Sequence, residues 1–243
     1  MVITFKFDRV AGNVGRKTDR GWEKVVVKVQ RPGIEATIET DLEIIFDLAR
    51  LLQTHTPMRE LYDLPEIAEE FATTLRAELD FYREGHNADR FRANFSDESF
   101  LCIPQVYWDY TTRRVLTLER IYGIKIDDIE ALDAAGHDRH RIALHTVRMI
   151  VKEVLEDGFF HADPHPGNFV VMPGETIGAM DFGMVGYLGR RERAELIRLY
   201  VVAVQLDAEG IVNQLIRMGA TTERVDRAGL QRDVARMLRK YQG

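Results

Sequence analysis

Between Phe159 and Asn168 the chain reads FFHADPHPGN, and thirteen residues after Asn168 comes Asp181-Phe182-Gly183, entered through the apolar Ile177, Ala179 and Met180. His161, Asp163, Asn168 and Asp181 have the types and spacing that phosphoryl transfer requires. In a kinase-type site an aspartate, here Asp163, would orient the acceptor, while an asparagine and a second aspartate, here Asn168 and Asp181, would hold a magnesium ion against nucleotide phosphates. Upstream, the run Val25-Val26-Val27-Lys28 ends in a lysine suited to pair with the α- and β-phosphates. Taken alone, Lys28 reads as a surface lysine at the end of a strand; joined to the other three it reads as part of a site. The same loop alternates His161, Asp163 and His165, which zinc or iron would also accept as ligands. No carboxylate-rich helix or further His pair completes a metal-hydrolase set, and His137, His140 and His145 fall in a polar helix start that predicts solvent exposure.

The elements that must hold these residues are legible around them. Lys24 to Gln30 is a β-branched run between Gly21 and Pro32-Gly33, a strand closed by a turn, with Lys28 on the face of Val26. Ile34, Ile38, Leu42, Ile45, Leu48 and Leu52 then recur at helical spacing until Thr56-Pro57. A second helix starts at Asp63-Leu64-Pro65-Glu66, with Asp63 as cap. Its pattern predicts one helix to about Phe95, roughly 45 Å long, with a stripe through Ile67, Phe71, Leu75 and Tyr82. Glu78 lies in that stripe and asks for a partner, because an unpaired carboxylate facing a packed interior is costly. CIPQVYWDY and RRVLTLERI predict two strands before an exit at Gly123. Leu144, Val147, Val151, Val154 and Leu155 trace a helix face that ends at Gly158. The order into the site is thus helix, polar loop, hairpin, Asp-Phe-Gly.

Composition bounds the rest. A chain of 243 residues with 45% hydrophobic side chains can bury a core, which excludes disordered, collagen-like and disulfide-scaffold classes. A net charge of -6 repels a phosphate backbone, so nucleic acid is not expected as a partner. The single cysteine, Cys102, forms no internal disulfide and points to a reducing cytoplasm. Lys6, Asp8 and Arg9 interrupt the start of the chain, leaving no export signal, and no apolar run approaches the roughly 18 residues of a membrane span. Membrane contact would be peripheral.

KVQRPGI, ELDFYREGHNADRF, FFHADPHPGN and the Asp-Phe-Gly motif resemble the UbiB (AarF) family of atypical protein-kinase-like proteins, over roughly Arg16 to the C-terminus. The resemblance implies a kinase-like fold, binding of ATP with Mg2+, ATPase activity more readily than protein phosphorylation, and support of ubiquinone biosynthesis at membranes. Carried over by position, Lys28 would contact nucleotide phosphates, Asp163 would be the catalytic aspartate, and Asn168 with Asp181 would bind magnesium. Glu78 and Asp80 match the family's E-x-D motif at the nucleotide site, reserved for its regulatory contact, and Glu84 matches the glutamate that pairs with the lysine. Six residues turn a straight helix by 600°, leaving Glu78 and Glu84 about 120° apart, so only one can serve Lys28, and Glu84 is assigned to it.

The departures are at the ends. The family's K-x-G-Q extension and alanine-rich nucleotide loop are not visible before Lys24, Met1 to Val14 match nothing in the pattern, and Ala11-Gly12-Asn13-Val14-Gly15 is a stand-in loop or an ordinary hairpin turn. Leu230, Val234, Met237, Leu238 and Tyr241 form a final stripe bordered by Arg227, Arg232, Arg236, Arg239 and Lys240, which packs on the large lobe or approaches an anionic bilayer. The expected architecture is α+β, a two-lobed protein-kinase-like fold truncated at the N-terminus. Residues 1–120 form a small β-rich lobe with the long helix, 121–243 form a larger helical lobe, and ATP lies between them. Expected partners are the nucleotide and an isoprenoid lipid or quinone-biosynthesis proteins. The alternatives are a small-molecule phosphotransferase of the aminoglycoside or choline kinase type, against which KVQRPG and E-x-D argue, and a non-catalytic nucleotide-binding scaffold.

Overall fold

The computed structural model describes residues 15–18, 21–55, 63–220 and 226–240. The expectations for Met1 to Val14, the loop beginning at Ala11, and Tyr241 lie outside them. In chain order the strands are β1 (Gly15–Thr18), β2 (Gly21–Val29), β3 (Leu101–Cys102), β4 (Val115–Glu119), β5 (Ile124–Lys125), β6 (Phe159–His161), β7 (Phe169–Met172), β8 (Thr176–Ala179) and β9 (Val185–Tyr187). The α-helices are α1 (Ile34–His55), α2 (Leu64–Glu78), α3 (Phe81–Asn94), α4 (Ile129–Ala134), α5 (Arg139–Val151), α6 (Arg190–Val204), α7 (Ala208–Arg217) and α8 (Arg227–Lys240).

The chain divides into two compact units. The first holds the described residues up to Val147 together with His161–Val185. In it the β-branched run of β2 is the central strand of a sheet ordered β1-β2-β4, both pairings antiparallel, with Lys28 opposite Leu116. A second sheet runs β3-β8-β7-β5, in which β3 pairs parallel to β8 and the β7–β8 hairpin is antiparallel, Phe169 opposite Ala179. CIPQVYWDY therefore contributes only the short β3, a bridge at Val106 and a 3-10 turn at Trp108–Tyr110, whereas RRVLTLERI supplies β4 as expected. A cluster of Leu132, Ile142 and Val171 with Ile124 and Ile126 packs α4 and α5 against this sheet.

The structure corrects the single long helix. Asp63 caps α2, accepting from the Glu66 N–H at 3.1 Å, but α2 stops at Glu78. Asp80, in extended conformation at φ -103°, caps a new helix by accepting from the Tyr82 N–H at 3.0 Å. An aspartate that captures the orphan N–H groups of a helix start competes with helix continuation. The expected inward stripe is corrected too: Ile67, Phe71 and Tyr82 are exposed, while Ala68 and Ala72 are buried. Ala72 packs on Ile38 and Leu42 of α1, flanked by Leu75 and Leu79.

The second unit comprises Arg148–Phe160 and the described residues from Gly186 onward. A π-helical turn, Lys152–Asp157, ends at Gly158 in the left-handed conformation (φ 62°), where a Cβ would meet the Leu188 carbonyl oxygen at 2.6 Å. Ile211, Val212 and Val234 join Leu199, Leu230 and Leu238 in its core, so the α8 stripe packs on α6 and α7 while Met237 stays exposed.

Candidate functional site

Lys28 is buried, with 8% of its surface exposed, which sets aside the surface lysine it resembles when taken alone. An ammonium taken out of water needs anions around it, and Nζ donates to two: Glu84 Oε1, and Asp181 Oδ2 at 2.8 Å. Glu84 stands in the first turn of α3, is 5% exposed, and also accepts the Phe182 N–H at 3.4 Å. Its place at a helix start favours a carboxylate. Asp181 is held from the other side by the Gly183 N–H, 3.1 Å from Oδ1.

The charges follow from this geometry. Burial opposes the Lys28 cation, but Glu84 and Asp181 outweigh it and raise its pKa. Burial likewise opposes the Asp181 anion, and Lys28 with the Gly183 N–H more than compensates, so its pKa falls. Burial pushes the Glu84 carboxyl up against the pull of Lys28. All three are in the first unit, and with Glu78, Asp163 and Asn168 they line one cleft of about 200 Å³.

The β7–β8 hairpin brings the later motifs to the cleft. Its open end sets Asn168 beside Asp181, with the Met180 N–H on the Asn168 carbonyl at 2.9 Å. Asn168 Nδ2 donates to the Asp163 carbonyl at 3.3 Å, and no described residue donates to Asn168 Oδ1 or to the exposed Asp163 carboxylate. At the tip, Glu175 ties the hairpin to the α4–α5 connection and to α5. His145 Nδ1 donates to its carbonyl at 2.8 Å, and His137 Nδ1 lies 3.4 Å from Oε1. His137 and His145 are therefore half-buried, a correction to their expected exposure, while His140 is exposed as read.

Glu78, at the end of α2, is half-buried in the cleft wall with no hydrogen bond or ion pair to a described residue. Burial raises its pKa, and the negative charges of Asp181, Asp163 and Glu84 add to that. Asp80 is not among the lining residues; its carboxylate caps α3 and lies 3.9 Å from Arg113. The loop does not turn its histidines into a ligand set. His161 Nδ1 accepts the Asp163 N–H and His165 Nδ1 the Gly167 N–H, and among the described residues no three His, Cys, Asp or Glu side chains converge on a metal position.

Two residues that motif reading passed over help to fix the site. Asn87, one turn beyond Glu84 on α3, donates from Nδ2 to the Phe182 carbonyl at 2.9 Å. Phe91, a further turn on, lies 5.5 Å from the Phe182 ring and 6.5 Å from that of His161, centroid to centroid. The inward spacing of Glu84, Asn87 and Phe91 was the available signal.

The donor set suits a magnesium polyphosphate. A free amide oxygen on Asn168, a carboxylate on Asp181 and an ammonium converge on a cleft of phosphate-and-metal dimensions, smaller than the roughly 300–1,000 Å³ of a whole small-molecule pocket. Residues 15–215 match the ABC1 atypical kinase-like domain. The chain is 39% identical over 223 residues to Protein ACTIVITY OF BC1 COMPLEX KINASE 7, chloroplastic, of Arabidopsis thaliana, with 92% of this chain and 32% of that protein covered. It is 40% identical over 190 residues to a Probable protein kinase UbiB of Xanthomonas euvesicatoria, with 76% and 34% covered, and 41% identical over 221 residues to the uncharacterized protein sll1770 of Synechocystis, with 90% and 38% covered. The chain thus spans about a third of the length of these three curated relatives. Rv3197 of Mycobacterium tuberculosis, solved in complex with erythromycin, shares its fold at a TM-score of 0.65 and 22% identity, over 99% of this chain and 60% of that one.

Proposed function

The chain belongs to the ABC1 atypical kinase-like family, and from that premise we propose that it binds Mg-ATP in the Lys28 cleft and uses it for phosphoryl transfer or ATP hydrolysis. The observation that carries this reading is the placement of Lys28 between Glu84 and Asp181, with Asp163 and Asn168 lining the same cleft. Asn168 and Asp181 would hold the metal, which when bound would supply positive charge to offset that of the phosphates. Lys28 donates from Nζ to phosphate oxygens. Asp163 accepts the acceptor's proton on its exposed carboxylate. Glu84 keeps Lys28 oriented through Oε1, and α3 holds Phe182 in place through Asn87 and Phe91.

Membership of this family favours the reading over an aminoglycoside or choline kinase type of enzyme. As part of the same proposal, the chain acts in isoprenoid quinone biosynthesis, the expectation carried by its UbiB-like motifs, with an isoprenoid lipid or a biosynthetic protein as partner. The division into lobes near Arg120, cytoplasmic residence and peripheral membrane contact belong to this proposal as well; among the described residues no helix is long and apolar enough to cross a membrane.

The deciding experiment is thermal unfolding with ATP, with and without magnesium. A ligand that binds only the folded state stabilises it by mass action, about 2.7 kcal/mol at a hundredfold excess over Kd. Mg-ATP is expected to raise the midpoint of the native chain and to lose that effect in Asp181→Asn. No shift at millimolar Mg-ATP in folded protein would overturn the assignment, and an unchanged shift in Asp181→Asn would remove Asp181 from it.

A further inference from the structure

The first unit contains a second and larger cavity, of about 560 Å³, sharing no lining residue with the Lys28 cleft. It is bounded by the C-terminal end of α3, by β3 and by the tip of the β7–β8 hairpin. Its volume falls within the roughly 300–1,000 Å³ of small-molecule sites. The floor is apolar: Phe95, Leu101 and Ile103 are buried, and Met172 is half-buried.

The polar groups around that floor are unequally engaged. Thr176 Oγ1 already donates to the Ser99 carbonyl at 3.3 Å, and Glu98, the only acid on the wall, has interactions of its own. Arg92 is the only cation on the wall, is exposed, and makes no hydrogen bond or ion pair with a described residue. Burial raises the pKa of the Cys102 thiol and Glu119 adds to the rise, while Arg92 pulls it down.

An apolar floor with one guanidinium on the wall that no described residue engages suits a ligand that is apolar at one end and anionic at the other. A guanidinium fork matches a carboxylate with two parallel N–H···O bonds. We propose that this cavity is a binding site for a small amphipathic carboxylate, its apolar body on Phe95, Leu101, Ile103 and Met172 and its anion on Arg92.

Cys102 makes the test local, because it is the only cysteine in the chain and lies in the wall. The native protein is titrated calorimetrically with 2-naphthoate, 2-naphthamide and acetate. The rate of N-ethylmaleimide addition to Cys102 is followed by mass in the presence of each. Naphthoate is expected to bind at millimolar concentration or better and to slow alkylation at least threefold. The neutral amide and the bare anion should do neither, and Arg92→Gln, which removes an exposed side chain with no partner, should bring naphthoate down to the level of the amide. Absence of both heat and protection with naphthoate overturns the site. Equal binding of naphthoate and naphthamide, or full naphthoate binding by Arg92→Gln, overturns the carboxylate. All arms are run without nucleotide, so failure of the Mg-ATP reading leaves them intact.

Discussion

Replacing Lys28 by methionine keeps an unbranched side chain of similar length and removes the only cation between two carboxylates. Breaking a buried ion pair by deleting one partner costs about 3–5 kcal/mol, because the survivor is left charged in a poor solvent. Here one survivor, Glu84, is 5% exposed and the other, Asp181, has 29% of its side chain exposed, so most of the penalty falls on Glu84. The expected loss for Lys28→Met at pH 8 is about 3–5 kcal/mol, or about 6–20 °C in Tm for a chain of this size.

The pH dependence gives the mechanism a signature. In the native chain the Lys28 pKa is raised, so its contribution is complete below the ordinary lysine range and lost as pH rises through the folded value. The Asp181 pKa is lowered, so its contribution is present above the ordinary aspartate value and lost as pH falls through the folded one. Between about pH 5 and pH 10 the pair's contribution is therefore flat. The buried Glu84 carboxyl already has a raised pKa in the native chain, against the pull of Lys28 and the Phe182 N–H, and without Lys28 only that N–H opposes burial, so the pKa rises further. Its stability is greatest in acid and falls as pH rises through the folded pKa, so the gap between native and variant widens from pH 5 to pH 8. Lys28→Met/Glu84→Gln removes the stranded charge and should recover about 2 kcal/mol as coupling energy. Urea unfolding at the two pH values measures all of this; a loss under about 1 kcal/mol with no pH slope would refute the reasoning from buried charge.

Glu78→Gln should leave the urea midpoint unchanged or raise it at pH 7, since the raised folded pKa of Glu78 means stability lost above the ordinary glutamate range; a clear loss instead would reveal a cation that holds Glu78. Asp80→Ala should cost about 1 kcal/mol through loss of the α3 cap while Asp80→Asn costs little, as read by thermal melting, and equal melting of all three would deny the cap. In Gly85→Ala the new Cβ would lie 2.8 Å from Trp108 Cη2, on a ring whose Nε1 is anchored to Asp89 at 2.8 Å, so overpacking of about 1–3 kcal/mol is expected in urea unfolding.

The strand of Lys28, the caps at Asp63 and the loop–hairpin–Asp-Phe-Gly order were all readable, because β-branching, capping chemistry and motif spacing are local properties. The faces of helices were less so. Periodicity weights large apolar side chains, and on α2 it selected Ile67 and Phe71, which are exposed; the helix packs through Ala68 and Ala72, small residues that allow α1 to approach. Leu144 and Val147 on α5 mislead in the same way, with Ile142 and Met149 buried instead. The break at Asp80 carries no glycine or proline. Its only mark was an aspartate able to cap, which the continuing pattern of the helix outweighed. Glu84 as the partner of Lys28 followed from resemblance, and the argument from a straight helix rested on a helix that is in fact two. The inward spacing of Asn87 with Glu84 and Phe91 was readable, but not its role, which depends on a backbone carbonyl 95 residues away.

The cleft sets one ammonium among four carboxylates, Glu78, Glu84, Asp163 and Asp181. With all four ionised its formal charge is minus three, so a bare polyphosphate arriving from solution meets a repulsive field over the last Debye length, about 8 Å at physiological ionic strength. The same field concentrates divalent cations at the mouth. Encounter kinetics are thereby selective before any contact forms: added salt should speed the association of metal-free nucleotide and slow the capture of free magnesium. If the proposed Mg-ATP is the ligand, such a field would sort it by charge state with no moving part.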